Sequence, residues 1–155
     1  MGIKSPFRPA GMYRFMLRRI VPYTLRGFWY YQGENDDFRA ETYASLLCTM
    51  IARWRQEFQD DTLPFLLVQL PMFAYEDTLG TGIWCILREA QMNVFRTVKH
   101  TGIAVALDCG EMGNIHPTDK KPAGIAGTPS GLRRNRTGGV RPAVCRKCGA
   151  GRQPD

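Results

Sequence analysis

Between Leu25 and Tyr31 the chain reads LRGFWYY, a compact aromatic run that stops at the polar cluster Gln32-Gly33-Glu34-Asn35-Asp36-Asp37. An apolar run ending in turn-forming residues predicts a strand followed by a loop. From Phe38 the period lengthens. Tyr43, Leu46, Leu47, Met50, Ile51, Trp54 and Phe58 recur at helical spacing and form one apolar face of a long helix, with Asp36 or Asp37 as its cap. Asp60-Asp61-Thr62 ends that helix. Pro64 then leads into Phe65–Leu70 (FLLVQL), a near-continuous apolar run of the kind found in strands covered on both faces, closed by Pro71.

A loop follows over Met72–Gly82. Trp84, Leu87, Gln91, Val94 and Val98 mark a second helix, with Arg88, Glu89 and Arg96 directed toward solvent or a site, and Thr101-Gly102 stops it. Ile103–Leu107 (IAVAL) predicts another buried strand, ending at Asp108, with a polar loop beyond it that carries His116-Pro117. Strands alternating with helices predict a parallel sheet with helices on both faces, in an α/β fold. In open sheets of this class ligands bind beyond the carboxyl ends of the strands. Both polar clusters, Gly33–Asp37 and Asp108–His116, fall at such ends.

Charge divides the chain in two. Residues 1–119 hold 12 Lys/Arg against 13 Asp/Glu, a net of −1, whereas residues 120–155 hold 9 against 1, a net of +8. The pI near 9.4 therefore describes the tail and not the body. The tail from Gly124 to Asp155 has 7 of the 16 glycines and no Phe, Trp or Tyr. So little apolar surface cannot offset the entropy of ordering the backbone, and 124–155 is expected to be a disordered extension of a domain spanning 1–123. Its basic cluster offers phosphate contacts, but without aromatic residues for base stacking nucleic acid is not the expected partner.

No apolar run reaches the roughly 20 residues of a membrane span, and the opening MGIKSPFRPAGMYRF has no signal-type apolar region. No membrane partner is expected, and the compartment is left open. Cys48 and Cys85 sit in apolar patterns and are expected to be buried thiols. Cys145-Arg-Lys-Cys148 is half of a zinc spacing, with His100 and His116 far upstream, so neither a metal nor a cofactor is expected.

The two clusters have the makings of acyl-transfer chemistry. Gly33-x-Asn35 places a small backbone position beside a side-chain amide, the donor type that stabilises a developing oxyanion. His116, in a loop with its backbone fixed by Pro117, suits a general base. Alone, a turn and an exposed loop histidine explain these residues as well. His100 beside Lys99 reads as a helix-end residue. Trp29, Trp54 and Trp84 read as core anchors, and a helix-surface pair explains Arg88 and Gln91 as well as a functional motif does.

Taken together, LRGFWYYQGEN (25–35), Trp54-Arg55, LPFLLVQLP (63–71), Trp84 with LREAQ (87–91) and IHPTDK (115–120) resemble the sialate O-acetylesterase group of SGNH (GDSL-type) hydrolases. The resemblance spans roughly Pro9–Gly124. It implies a three-layer α/β/α fold of flavodoxin-like type, incomplete at its N-terminus, that removes acetyl groups from O-acetylated sugars through a serine nucleophile. It assigns Gly33 and Asn35 to the oxyanion hole, Glu34 to the orientation of that loop, and His116 to the general base. Asp108 and Glu111 are the carboxylates near His116, and either is a candidate acid.

The chain departs from the family pattern at the nucleophile. Its three serines are Ser5, Ser45 and Ser130. None follows a buried strand with a small-residue turn, so no nucleophile is assigned, and the family's Gly-x-Ser block would lie upstream of Met1. Position 113, where many relatives carry Asp, is Gly113. Two readings follow: part of a carbohydrate O-acetylesterase, or a sugar-binding or scaffold remnant of that fold without turnover. The oligomeric state is not legible.

Overall fold

Three strands lie side by side in chain order and all run parallel in the computed structural model, which describes residues 10–21, 23–73, 83–111, 113–121, 124 and 143–144. β1 (Phe28–Tyr30) pairs with β2 (Phe65–Val68), and β2 with β3 (Thr101–Val105). A two-residue strand, β4 (Ala143–Val144), adds to the far side of β3 with Ala104 opposite Ala143. The α/β parallel sheet expected from the alternation is observed, but the two crossover helices share one face instead of covering both. β4 falls inside the stretch expected to be disordered, and most of the rest of 124–155 lies outside the described residues. So do Ser5, Ser130 and the Cys145–Cys148 pair.

Parallel neighbours need a crossover, here α2 (Ala40–Phe58) between β1 and β2 and α3 (Ile83–Thr97) between β2 and β3. Two right-handed crossovers advancing the same way place both helices on one face of the sheet. Tyr43, Leu47 and Ile51 of α2 and Leu87, Ala90 and Val94 of α3 accordingly share one core with Phe65, Leu67 and Ile103. Val68 and Ala104, which alternate to the other face, form a smaller cluster with Ala106 and Cys109. Phe28, Trp54 and Phe65 meet with ring centroids 5.0–5.9 Å apart, an aromatic wedge between β1 and α2.

Several local expectations are corrected. Trp29 points away from this wedge and is 52% exposed, so it anchors no core. Cys85 is exposed and Cys48 half-buried, because both sit at the margins of their helical stripes. Neither Asp36 nor Asp37 caps α2. A 3-10 helix, Glu34–Arg39, intervenes, and α2 has no side-chain cap bond. An element that the periodicity did not signal precedes β1: a π-helical segment, Tyr13–Leu17, runs into the short α1 (Arg18–Ile20). The Arg53 guanidinium on α2 lies over the Tyr13 ring, 5.8 Å from its centroid.

The amino end of the sheet is tied by Arg55. It is 6% exposed and donates to the carbonyls of Leu63, at 3.0 Å, and His100, at 2.9 Å. Those carbonyls sit just before β2 and β3, so one guanidinium joins α2 to both strand starts. Burial pulls its pKa down from the usual arginine value, although Asp61 and Asp60 lie close enough to oppose this.

Candidate active site

The chain leaves β1, β2 and β3 at one rim of the sheet, because parallel strands all end on the same side. After β1 the chain turns at Gly33, whose φ of 149° is open to glycine and strained for any other residue. Space is closed there too. A Cβ on Gly33 would stand 3.0 Å from the Tyr43 hydroxyl and 3.2 Å from Leu70 Cδ1. The Gly33 carbonyl accepts from Asp36 N–H at 3.0 Å and so starts the 3-10 helix that carries Glu34 and Asn35. Among the described residues no acceptor takes the N–H of Gly33 itself, although the residue is buried. Asn35 is exposed and Glu34 half-buried.

Side chains fix this turn from beneath. The Tyr43 hydroxyl donates to the Gln32 carbonyl at 2.8 Å, and Gln91 Nε2 donates to the same oxygen at 3.3 Å. Gln91 Oε1 accepts from Leu70 N–H at 2.9 Å, at the end of β2. The Gln32 side chain bridges outward, accepting from the Tyr30 hydroxyl at 2.8 Å and donating to Asp36 Oδ2 at 2.9 Å. Burial, reinforced by the charges of Asp36 and Glu34, pushes the Tyr30 phenol up to about 12. Tyr43 is pushed up further, again mainly by burial. Both hydroxyls are therefore protonated donors at neutral pH.

The second loop follows β3. A short 3-10 turn, Leu107–Cys109, places Asp108 at the surface, where its Oδ1 accepts from Cys109 Sγ at 3.5 Å. Gly110 passes so close to the segment after β2 that a Cβ there would lie 2.1 Å from the Met72 carbonyl oxygen. Beyond it Glu111 organises the loop. Its Oε1 accepts from Thr118 N–H at 2.7 Å and from the Thr118 hydroxyl at 2.6 Å, and its Oε2 accepts from Asn114 Nδ2 at 3.0 Å. Asn114 Oδ1 in turn accepts from His116 N–H at 3.0 Å. These bonds hold the Glu111 carboxyl below the usual glutamate range, those from Thr118 most strongly. The His116 residue is exposed at the crest, next to buried Pro117.

Tyr31 stands between the two loops. It packs on the cluster of Val68, Ala104, Ala106 and Cys109, and Lys120 Nζ lies over its ring at 5.1 Å from the centroid. A residue just past His116 thus touches the residue that enters the Gly33 turn. Burial, with Glu34 and Cys109 nearby, pushes the Tyr31 phenol up to about 12.

Gln91 is not the helix-surface residue expected; it is 1% exposed. The signal was present in its place within the apolar stripe Trp84-Leu87-Gln91-Val94-Val98, since an amide at a core position must find partners. Tyr43 was legible only as core, and Tyr31 only as strand. Of the three serines, Ser45 alone lies among the described residues. It is exposed on α2 and its hydroxyl donates to the Thr42 carbonyl at 2.8 Å, remote in role from any strand-end turn. No cluster of His, Cys, Asp and Glu suited to a metal occurs among the described residues, and no described helix is long and apolar enough to cross a membrane.

Fold and rim together define a parallel α/β protein whose polar, glycine-turned loops gather at the carboxyl edge of the sheet. Residues 3–123 match the family model described as carbohydrate esterase, sialic acid-specific acetylesterase, and the chain belongs to that family. It is 29% identical to the sialate O-acetylesterase of Mus musculus and 30% identical to that of Rattus norvegicus, in each case over 136 residues that cover 77% of this chain and 25% of the relative. A crystal structure of a carbohydrate acetylesterase from Xanthomonas citri superposes with a TM-score of 0.67 at 35% identity, covering 75% of this chain and 27% of that one. The chain spans about a quarter of the length of these relatives.

Proposed function

We propose that this chain carries the oxyanion loop and the general base of a carbohydrate O-acetylesterase that hydrolyses acetyl esters on sugars by serine acyl transfer, with the nucleophile block lying outside it. The observation that supports this most is the buried Gly33 N–H, which no acceptor takes among the described residues, in a turn that follows a strand end on the same side of the sheet as the histidine loop. In this reading Gly33 N–H and the Asn35 amide hold the negative oxygen of the tetrahedral intermediate, and Glu34 orients the loop. His116 takes the proton of the attacking serine and returns it to the departing sugar hydroxyl; water then repeats the sequence to release acetate. Asp108 and Glu111 are the two candidate carboxylates for the imidazole, Glu111 with both oxygens engaged in building the loop. The substrate is an O-acetylated sugar, of the sialate type named for its relatives.

The test is acetate release from an O-acetylated sugar by this chain alone and by a polypeptide joining it to a Gly-x-Ser segment that supplies the serine. The chain alone is expected to release none above background, and release by it would overturn the missing nucleophile. In the joined form His116→Ala should lower turnover by about 10²–10⁴-fold, the range of general acid–base catalysis. Asn35→Ala should lower it by about 10²–10³-fold, as loss of one oxyanion donor does. Unchanged turnover in His116→Ala would reject the assigned base. The second reading, a sugar-binding remnant, draws on the exposed helical position of Ser45, and saturable sugar binding without turnover in the joined form is its distinguishing result.

A further inference from the structure

We infer that Gln91 is a positioning residue that aims the Gly33 N–H, an assignment that rests on the esterase reading for its purpose but not for its geometry. A trans peptide is planar, and its carbonyl and N–H point in opposite directions. Whatever holds the Gln32 carbonyl therefore sets the direction of the Gly33 N–H. Two donors hold that oxygen, the Tyr43 hydroxyl at 2.8 Å and Gln91 Nε2 at 3.3 Å. Two lone pairs with two donors leave the peptide plane little freedom to rotate.

The other end of the Gln91 amide is anchored as well. Its Oε1 accepts from Leu70 N–H at 2.9 Å, beyond the point where the β2 ladder ends. One side chain on α3 thus ties the end of β2 to the turn after β1. Alternatives fit poorly. A buried amide in an apolar stripe costs stability unless its partners are good, and a leucine would fill the same position without those demands. The amide is explained by what it holds, and what it holds is the peptide that faces the rim. Gly33 completes the device, because its φ of 149° strains any other residue and a Cβ there would press on the Tyr43 hydroxyl and Leu70.

Two variants of the full chain test this by amide exchange and NMR shifts. Gln91→Leu removes both bonds; the amides of Gly33, Asn35 and Asp36 should shift, and Asp36 N–H should exchange at least about 10-fold faster, a loss of roughly 1.4 kcal/mol of local protection. Amides of α3 should keep their protection. If Gln91→Leu does not fold, Gln91→Glu serves, since it retains the acceptor for Leu70 N–H and loses the donor to Gln32. Its loop amides should shift when the introduced carboxyl is ionised and return toward the parent positions on acidification, when the protonated carboxyl can donate again. Loop amides that match the parent in the variant that folds overturn the assignment. In the joined, serine-bearing form, Gln91→Leu should lower kcat by about 10-fold or more while KM changes less. If the joined parent releases no acetate, the esterase reading fails, and the amides of the chain still decide the role of Gln91.

Discussion

Arg55 and Gly33 illustrate how single residues set the two ends of this sheet. At the amino end Arg55 donates to the Leu63 and His100 carbonyls from a nearly buried position. Hydrogen bonds from a charged donor are worth more than neutral ones, and removing the donor leaves buried acceptors unpaired. Arg55→Leu should lower unfolding free energy by about 2–3 kcal/mol, measured by urea titration. A change under about 0.5 kcal/mol would mean that water replaces the guanidinium at no cost. At the carboxyl end Gly33 combines a φ of 149° with a space closed by Tyr43 and Leu70. Residues of this kind were only partly legible. Gly33 and His116 stand out in the sequence as a turn glycine and a loop histidine. Tyr43 and Gln91 read as helix positions, because periodicity reports which face is buried and not what a buried polar atom is bonded to.

At the level of elements the Glu111–Thr118 loop is the clearest device. One carboxylate accepts three hydrogen bonds from Thr118 and Asn114, and Asn114 passes the order on to the His116 backbone. The bonds favour the ionised form, so the folded-state pKa lies below the unfolded one. Linkage then has one sign. The order these bonds give is fully present above the ordinary glutamate value of about 4.3 and is lost as pH falls through the depressed folded value. The Thr118 amide proton, followed by NMR, should therefore move upfield and lose protection only in that acid range. Glu111→Gln should abolish the titration. A Thr118 amide that titrates near neutrality, or not at all, would contradict the Glu111 staple.

The elements themselves were mostly visible beforehand. Strand, helix, strand, helix, strand appear in the expected order, because the aromatic and aliphatic runs are long and the helical stripes regular. The ends differ: Leu25–Tyr31 contracts to Phe28–Tyr30, Phe65–Leu70 to Phe65–Val68, with Leu70 N–H taken by Gln91, and Ile103–Leu107 shifts to Thr101–Val105. The helix before β1 was missed because its apolar residues Met12, Phe15, Met16 and Ile20 are exposed and make no inward stripe. β4 is not signalled because two residues carry no periodicity; among the described residues Ala143 and Val144 pair with β3.

Across the whole molecule the central claim is that two loops separated by about half the chain act on one ligand. Parallel strands bring both to the same rim, and Lys120 over Tyr31 links the end of one loop to the root of the other. The excess positive charge lies in residues 120–155, and the body on which both loops are built is close to neutral. The chain's own bonds hold the glycine turn and the histidine loop in place. A ¹⁵N NMR titration of the full chain with an O-acetylated sialic acid tests the claim most directly. The Gly33 and Asn35 amides and the His116 imidazole should shift together along one binding curve. Shifts confined to a single loop, or two curves of different midpoint, would contradict a shared site.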